Sequence, residues 1–573
     1  MKEKSVQTIT AKAQSRRRFI GQVGVTGAAS IAAGVIGLEP LLQTERSKAQ
    51  AAPVPSNAQG ASSGSNQRAN ECAKIRRDAA QAGLQSTPQN LQHPANNDEN
   101  LYANKIASYS KGLPHNNDGT VNLSAYAALL QAVNSGNPSD FDAIPMGGDR
   151  HLTNPQSGLA FDMEGPDGHA LLQPPAPAFA SREQAAEISE NYWMALLHDV
   201  PFAQYPVNPI ANAAAADLTL YGADFRGAKA GGAVTTATLF RGLTPGDKAG
   251  PYLSQYFYQQ CNFGANNLEQ KIRTAAPGID YMTDFNTWLA VQRGFNQPAD
   301  TFDATRRYMR NGRDISSWVH IDVLFQAYFQ GFLVLAGIGA PFDDGNPYIG
   351  NPTQDGFGTF GGPHIAALLC EVATRALKAV WFQKWFVHRR LRPEVHAARV
   401  DRTLNHGAGY PVHPEILNSL SSGARLGGYM TVGNALLPMA FPEGSPTHPA
   451  YGAGHATVAG ACVTILKTWF KESTKLVDLG VTPMQPADDG LTLVPYAGAD
   501  AGDLTVGGEL NKLASNVGIG RDIAGVHWRS DATESLKLGE QLAIGILRDQ
   551  RACYNENFGG FSLTKFDGTT VTV

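Results

Sequence analysis

The chain contains little charge and no long apolar run. Only 17% of its 573 residues are charged, and 46 basic residues against 50 acidic ones leave a formal net charge of −4. This balance provides no basic field of the kind that attracts nucleic acid, so we expect no nucleic-acid partner. Because no internal apolar run reaches the length of about eighteen residues that a membrane span needs, we also expect no membrane partner.

Cysteine is scarce as well. None of the five cysteines is spaced as a metal-binding pair, and an odd number leaves one thiol free or paired between chains. Cys370 and Cys462 lie in apolar helical patterns, and we expect both to be buried.

The first 51 residues have the three parts of an export signal in order. Arg16 and Arg17 form a twin-arginine pattern, a Gly/Ala-rich apolar run extends from Gly21 to Leu38, and small residues at 49–51 offer a cleavage site. We therefore predict a twin-arginine signal peptide over 1–51 and a periplasmic or extracellular mature protein. The alternative is a basic tail followed by a chance apolar helix. Residues 52–70 have almost no large apolar side chains and are predicted to form a disordered linker.

Helical periodicity dominates the rest of the chain, whereas strand alternation is rare. Turn signals are frequent from 85 to 182, where we expect long loops and short helices. The predicted helices are Arg182–Val200, Asp314–Leu335, Pro363–Arg390, His455–Glu472, Gly508–Ile523 and Asp531–Gln550. The fold class is thus mainly α, a large helical bundle with long loops over 71–573.

An acidic stretch from Phe342 to Pro347 has oxygen ligands suitable for a structural Ca²⁺ ion. No full calcium-loop spacing follows it, and a polar turn is the favoured interpretation.

Three segments between 380 and 531 carry residues suited to chemistry. In the first, Lys384, His388 and Arg392 follow one another at steps of four, which predicts that they share one helix face. Pro393 keeps Arg392 out of helical geometry and places it at the helix exit. The alternative for this segment is a solvated basic helix end.

The second segment is a Gly/Pro-rich loop that leads into an apolar helix. It contains His448 and His455, with Gly454 immediately before the second histidine. Free backbone N–H groups at such a junction favour an anion, and His455 could face that anion. The alternative is that each histidine is an ordinary core residue.

The third segment links two predicted helices. Arg521 and His527 bracket a turn at Gly525, and Asp531 lies four residues after His527. That carboxylate can accept the second N–H of the imidazole and orient it. The alternative is an ordinary inter-helix turn with charged rims. Taken together, the three segments offer three cations, two imidazoles and a helix N-terminus, a set that suits a trianionic tetrahedral oxyanion.

The order Lys…Arg-Pro, Gly-His and Arg…Gly-Val-His…Asp resembles the vanadium-dependent haloperoxidases and their relatives, the type 2 phosphatidic acid phosphatases. The eight-residue step from Lys384 to Arg392 and the Ser-Pro-Thr-His-Pro stretch look like the bromoperoxidases of marine algae and cyanobacteria. The resemblance implies a vanadate cofactor and oxidation of bromide, with chloride and iodide as further halides, by hydrogen peroxide. The hypohalous acid formed would halogenate a small organic acceptor. It also implies a homo-oligomer, often of twelve chains.

The resemblance further assigns a role to each matching residue. His527 would bond vanadium, Lys384 would also polarise the bound oxidant, and His455 would be the acid–base partner. Asp531 would support His527 from behind. The cofactor-binding set is Lys384, Arg392, Gly454, Arg521 and His527, the catalytic set is His455, Lys384 and His448, and the halide-site candidates are Trp381 and His448.

One position departs from the family pattern. The family reads Pro-Ser-Gly-His where this chain has Gly452, Ala453, Gly454 and His455. Ala453 lacks the serine hydroxyl that donates a hydrogen bond to the oxyanion in the family. Because a hydrogen bond to a charged group contributes roughly 1.5–3 kcal/mol, we expect the oxyanion affinity to be lower by about one or two powers of ten. Two alternatives remain from the sequence: an acid phosphatase with His527 as nucleophile and His455 as general acid, and an inactive oxyanion-binding scaffold.

Overall fold

The structure, a computed structural model, describes residues 65–430 and 433–573. The predicted signal peptide (1–51) and residues 52–64 of the predicted linker lie outside this part of the chain. The linker prediction is wrong for residues 65–70, because the first helix begins at Ser65, where helix-favouring Gln, Arg, Ala and Glu replace the Gly/Ser-rich composition.

The α-helices are α1 Ser65–Ser86, α2 Asp98–Leu101, α3 Leu123–Ser135, α4 Pro138–Asp142, α5 Arg182–Leu196, α6 Pro209–Thr219, α7 Phe285–Arg293, α8 Gly312–Ile321, α9 Gln326–Gly337, α10 Gly362–Phe382, α11 Pro393–His406, α12 Pro414–Ser421, α13 Gly454–Trp469, α14 Val506–Ile523 and α15 Arg529–Arg551. The strands form three antiparallel hairpins: β1 Cys261–Phe263 with β2 Asn266–Leu268, β3 Met484–Pro486 with β4 Leu493–Pro495, and β5 Ser562–Thr564 with β6 Thr570–Thr572. The mainly α, bundle-like prediction is confirmed.

One predicted helix is in fact two. The pattern over Asp314–Leu335 is divided between α8 and α9, whose axes differ in direction by 103°. The chain leaves α8 at Asp322, which has an extended backbone (φ −63°, ψ 154°). An apolar periodicity does not reveal such a break, because both halves keep their own buried faces. No single helix of the described residues is long and apolar enough to cross a membrane, although this bent pair passes that test by length and composition.

Helix α13 is the centre of the bundle and packs against α10, α14 and α15. Its contact with α15 is a backbone approach at two glycines. A Cβ atom on Gly460 would lie 2.0 Å from the Leu536 carbonyl oxygen, and one on Gly539 would lie 1.9 Å from that of Thr457. The absence of side chains at these two positions therefore fixes the N-terminus of α13 beside the start of α15.

No disulfide links the five cysteines in the part of the chain that the structure describes. Cys462 is buried as predicted, and its Sγ lies 3.5 Å from the Leu369 carbonyl oxygen. The prediction for Cys370 is wrong, since this side chain is only half-buried. Cys370 falls at the edge of the α10 face that Leu369 and Val372 bury.

Candidate active site

The first predicted segment leaves α-helical geometry before its basic residues are complete. Helix α10 ends at Phe382, a π-helical turn covers Gln383–His388, and Arg389 is left-handed at φ 38°. The wider π-turn breaks the four-residue register, so the prediction that His388 shares a face with Lys384 and Arg392 is wrong. The His388 ring instead packs edge-on against Tyr451, at 4.7 Å between centroids.

Lys384 is fully buried in this turn. Its Nζ donates to the carbonyl oxygens of Pro449 at 2.8 Å and Ala450 at 3.0 Å, which leaves one of its three N–H groups for a ligand. Burial, together with the nearby positive charge of Arg392, lowers the pKa of Lys384 well below its ordinary value. The ammonium group therefore gains from any anion placed beside it.

Arg392 has the extended backbone expected before proline and precedes α11, which begins at Pro393. Its Nε donates to the His448 carbonyl oxygen at 3.0 Å, and Nη2 lies 2.9 Å from His448 Nδ1. Its Nη1 donates to the Val526 carbonyl oxygen at 2.6 Å. Burial lowers the pKa of this guanidinium to about 10. Arg392 thus connects, by hydrogen bonds, the loop that contains His448 with the turn that contains Val526.

His527 is buried and has a different partner on each ring nitrogen. Nδ1 lies 2.9 Å from Asp531 Oδ2, and Nε2 lies 3.0 Å from Arg392 Nη1. A carboxylate on one side and a guanidinium donor on the other define the tautomer with the proton on Nδ1. Burial and the neighbouring cations lower the pKa of His527 well below its ordinary value, so the imidazole is neutral and its Nε2 lone pair faces the cations.

Asp531 has a second partner that the sequence reasoning missed. Its Oδ1 accepts from Arg390 Nη1 at 2.8 Å, and Arg390 Nη2 donates to Glu187 at 2.7 Å. Burial raises the pKa of Asp531, whereas Arg390 favours its ionised form. Arg390 stands beside the predicted residues in the sequence, but Glu187 lies on α5 and no spacing rule connects it to this site.

The second segment delivers backbone donors and His455 at the start of α13. The Thr457 N–H is bonded to the Ala453 carbonyl oxygen at 3.0 Å, as the first turn of a helix requires. The N–H groups of Gly454 and His455 therefore precede the first intrahelical bond. His455 Nε2 lies 3.1 Å from Asp322 Oδ1, a carboxylate that sequence reasoning missed because it is 133 residues away.

Arg521 approaches from the end of α14. Its Nη1 donates to the Val319 carbonyl oxygen at 2.8 Å, and its guanidinium carbon lies 5.4 Å from the centroid of the Phe441 ring. Its buried Nε has no hydrogen-bond partner among the described residues. Burial lowers its pKa to about 10. The predicted turn after it is present, with Gly525 at φ 77°.

Trp381 and His448 form one wall beside Lys384. Their rings are 4.7 Å apart, and the Lys384 ammonium lies 5.6 Å from the Trp381 ring centroid. Trp381 Nε1 donates to the Thr153 carbonyl oxygen at 2.9 Å. Each of the two side chains keeps about 8% of its surface exposed.

The three cations of this site have no carboxylate in direct contact among the described residues. Within residues 65–430 and 433–573, none of Lys384, Arg392 and Arg521 forms an ion pair with a carboxylate. Three buried cations, an unpartnered guanidinium nitrogen and free helix N–H groups together favour binding of a multiply charged anion. The residues present therefore fit a tetrahedral oxyanion, and His527 Nε2 is a candidate nitrogen ligand.

The acidic stretch at 342–347 uses its carboxylates within the protein. Asp343 accepts the Gly345 N–H at 2.9 Å, and Asp344 pairs with Lys471 at 2.8 Å, both as in a polar turn. Among the described residues, the one group of three side chains spaced to hold a metal is Asp300, His320 and Glu443.

In that group, the two carboxylates lie on opposite ring nitrogens of His320. Asp300 is 3.7 Å from Nδ1 and Glu443 is 2.9 Å from Nε2. The carboxylates contact opposite nitrogens of one ring, an arrangement that fits side-chain pairing better than a shared metal ion. The His320 ring stacks on Phe441 with 3.8 Å between centroids, and the Arg521 guanidinium is a further neighbour of Phe441.

Comparison with known proteins gives consistent relatives. Residues 422–556 match the family described as VCPO second helical-bundle domain. The vanadium-dependent bromoperoxidase of Corallina pilulifera is 37% identical over 84% of this chain and 94% of its own length. That of Ascophyllum nodosum is 34% identical over 88% and 92%. The solved homohexameric second vanadate-dependent bromoperoxidase of Ascophyllum nodosum superposes with a TM-score of 0.80 at 29% identity, covering 95% of both chains.

Proposed function

Because the chain belongs to the vanadium-dependent bromoperoxidases, we propose that its buried cationic pocket holds vanadate and that it oxidises bromide with hydrogen peroxide to hypobromous acid. The observation that carries this proposal is the pairing at His527: Nδ1 is fixed on Asp531, Nε2 contacts Arg392, and Lys384 and Arg521 are near enough to act on the ring electrostatically. None of these three cations forms an ion pair with a carboxylate of the described residues. When bound, vanadate supplies an electrophilic centre that activates peroxide toward halide.

The binding residues have separate tasks. Lys384, Arg392 and Arg521 offset the negative charge of the oxyanion, and the Gly454 N–H donates to one of its oxygens. His527 would provide the nitrogen ligand, since its tautomer leaves Nε2 unprotonated, and Arg392 Nη1 is the donor that a ligand would displace from this lone pair. Because these groups are buried, little reorganisation is needed when charge moves during the reaction.

Proton movement falls to His455. Asp322 is bonded to Nε2, which leaves Nδ1 to hold or release a proton. The contact with Asp322 also fixes the orientation of the His455 ring. His455 keeps about 25% of its side chain exposed, so the proton can exchange with solvent.

Halide access is assigned to the wall formed by Trp381 and His448. Both side chains are slightly exposed and adjoin Lys384. The ammonium attracts the halide, and the indole supplies a surface on which a poorly hydrated anion such as bromide loses little solvation. We propose chloride and iodide as further halides that reach the same position beside Trp381 and His448.

The experiment compares the wild-type protein with His527→Ala. Purified protein receives vanadate, peroxide and bromide with an activated β-diketone as acceptor, and a parallel sample receives a phosphate ester without vanadate. We expect bromination in the wild type and none in His527→Ala. Bromination at the wild-type rate in that variant would sink the assignment, as would ester hydrolysis without bromination in the wild type.

A matched control is His406→Ala, an exposed histidine at the end of α11 that lies outside the pocket. It should leave the bromination rate unchanged. The acid phosphatase alternative is not favoured, because the relatives that span most of the chain are named bromoperoxidases.

We also propose that the protein forms a homo-oligomer and is exported. The homohexameric structural neighbour supports a homo-oligomer, and twelve chains per assembly stays a prediction of the family resemblance. The twin-arginine pattern at 15–20 supports export, since that route carries proteins that have already folded around a cofactor. Replacing Arg16 and Arg17 by lysine should retain the protein inside the cell, which fractionation would show.

A further inference from the structure

A second cleft opens between α7 and α11, outside the oxyanion pocket. It has a volume of about 430 Å³, and its apolar walls include Phe285, Leu289 and Phe295. Two arginines, Arg293 and Arg402, also line it, and no acidic residue does. Arg402 lies ten residues beyond Arg392, or about 15 Å further along the helical rise, so the two sites are separate.

Arg402 presents an unused guanidinium to this cleft. Its guanidinium carbon lies 4.1 Å from the Phe285 ring centroid. Its side chain has no hydrogen bond or ion pair with any residue that the structure describes. Stacking on a ring holds a guanidinium in place while its N–H edge stays open to an in-plane acceptor.

Arg293 is held beside it by neutral groups only. Its Nε and Nη2 donate to the His115 carbonyl oxygen at 3.0 and 2.8 Å, and Nη2 also donates to Asn117 Oδ1 at 2.9 Å. These bonds fix the position of the side chain and leave its charge unneutralised. The acidic side chains that flank lining residues are used elsewhere, since Asp118 accepts from Thr120, Asp284 caps α7 through Thr287, and Asp401 accepts from Asn405 and from the Ala435 N–H.

We propose that this cleft binds a small aromatic carboxylate. The ring would lie against Phe285, Leu289 and Phe295, and the carboxylate would accept from the Arg402 edge and from Arg293. The volume is within the range of small-molecule sites, and an apolar pocket with a few convergent polar groups is their usual composition. The absence of acidic lining favours an anion over a neutral or cationic ring.

This ligand class matches what hypohalous acid consumes. An electron-rich ring that carries a carboxylate is readily halogenated, so an occupant of the cleft would be an organic acceptor held on the same chain that releases the hypohalous acid. That connection rests on the proposed function, whereas binding itself does not.

The test is direct binding of 4-hydroxybenzoate to the full chain, measured by calorimetry. Vanadate is kept saturating so that the oxyanion pocket is filled, and peroxide and halide are left out. We expect saturable binding to the wild type, weaker by about tenfold or more in Arg402→Gln and in Arg293→Gln, since each variant loses a charge-assisted hydrogen bond. Phenol, which lacks the carboxylate, should bind about tenfold more weakly than 4-hydroxybenzoate to the wild type.

Arg273→Gln is the matched control. Arg273 also stacks on a phenylalanine, with its guanidinium carbon 3.6 Å from the Phe302 ring centroid, but it does not line the cleft. The affinity of Arg273→Gln for 4-hydroxybenzoate should equal that of the wild type. The proposal is overturned by no saturable binding in the wild type, or by equal affinity in the wild type and both cleft variants. Failure of bromination would instead count against the proposed function and leave the cleft proposal standing.

Discussion

Asp531 holds the imidazole of His527 by a 2.9 Å contact from its Oδ2 to Nδ1, one helical turn away at the start of α15. Its other oxygen is bonded to Arg390, so the carboxylate cannot rotate away from the ring without losing a buried ion pair. The orientation of the proposed vanadium ligand therefore depends on a residue that does not itself touch the pocket.

The first prediction is that Asp531→Asn weakens vanadate binding. Loss of such a supporting carboxylate typically costs about 10–100-fold in metal affinity. Titration of the vanadate-free protein with vanadate, followed by calorimetry, measures the change. Ser530→Ala is the control, because Ser530 accepts from the same Arg390 at 2.8 Å without contacting His527. Equal vanadate affinity in Asp531→Asn and the wild type would show that His527 needs no such support.

The second prediction is that Ala453→Ser strengthens vanadate binding. Ala453 is the N-cap of α13 and has no side chain that could cap it or reach the oxyanion. A serine there can accept a helix N–H, worth about 0.5–2 kcal/mol of stability, while its own proton is donated to the ligand. We expect the vanadate dissociation constant to fall by about tenfold or more and the thermal midpoint without vanadate to rise.

Ala450→Ser is the control for that change, since Ala450 is equally buried in the same loop but does not begin the helix. It should not improve vanadate binding. A lower affinity in Ala453→Ser would mean that the pocket has been reshaped around the alanine.

The sequence identifies the candidate pocket residues more completely than the side chains that hold those residues in place. Lys384, Arg392, Arg521 and His527 are found because each sits beside a proline, a glycine or a helix end that constrains the local chain. Asp322 also lies at a helix end, but the continuous apolar periodicity over 314–335 hides that end, and only the tertiary fold brings the carboxylate to His455. The prediction for His388 is wrong for a different reason, because an apolar periodicity in the sequence does not reveal a π-turn.

The third prediction concerns acid stability. Burial alone would raise the pKa of Glu443, but the hydrogen bond from His320 lowers it to about 2. A lowered carboxylate pKa gives stability that is complete above the unfolded value of about 4.5 and is lost as the pH falls toward about 2. Between pH 6 and pH 3 the wild type should therefore lose at most about 2 kcal/mol more unfolding free energy than Glu443→Gln.

Urea denaturation at the two pH values measures this difference. Glu269→Gln is the control, because Glu269 is exposed and forms no hydrogen bond or ion pair with the residues that the structure covers. Its pH dependence should follow the wild type. If Glu443→Gln also followed the wild type, the His320 contact would not stabilise the fold.

The fourth prediction is that Gly539→Ala destabilises the bundle and weakens vanadate binding together. The added Cβ would lie 1.9 Å from the Thr457 carbonyl oxygen, so α13 and α15 must separate. We expect a loss of about 1–3 kcal/mol or more in unfolding free energy, measured by urea denaturation. Gly337→Ala is the control, a helical glycine with nothing within 4 Å of the added atom, and it should be neutral or slightly stabilising. Wild-type stability in Gly539→Ala would exclude a tight helix contact there.

The bend between α8 and α9 has an energetic meaning. A continuous helix from Gly312 to Gly337 would add intrahelical hydrogen bonds across Asp322 and would be the more favourable local structure. By breaking there, the chain gives up part of its local order where the Asp322 carboxylate contacts His455. A variant that restored the continuous helix would gain rigidity and lose this contact, so local stability is limited here by the contact that the proposed proton transfer uses.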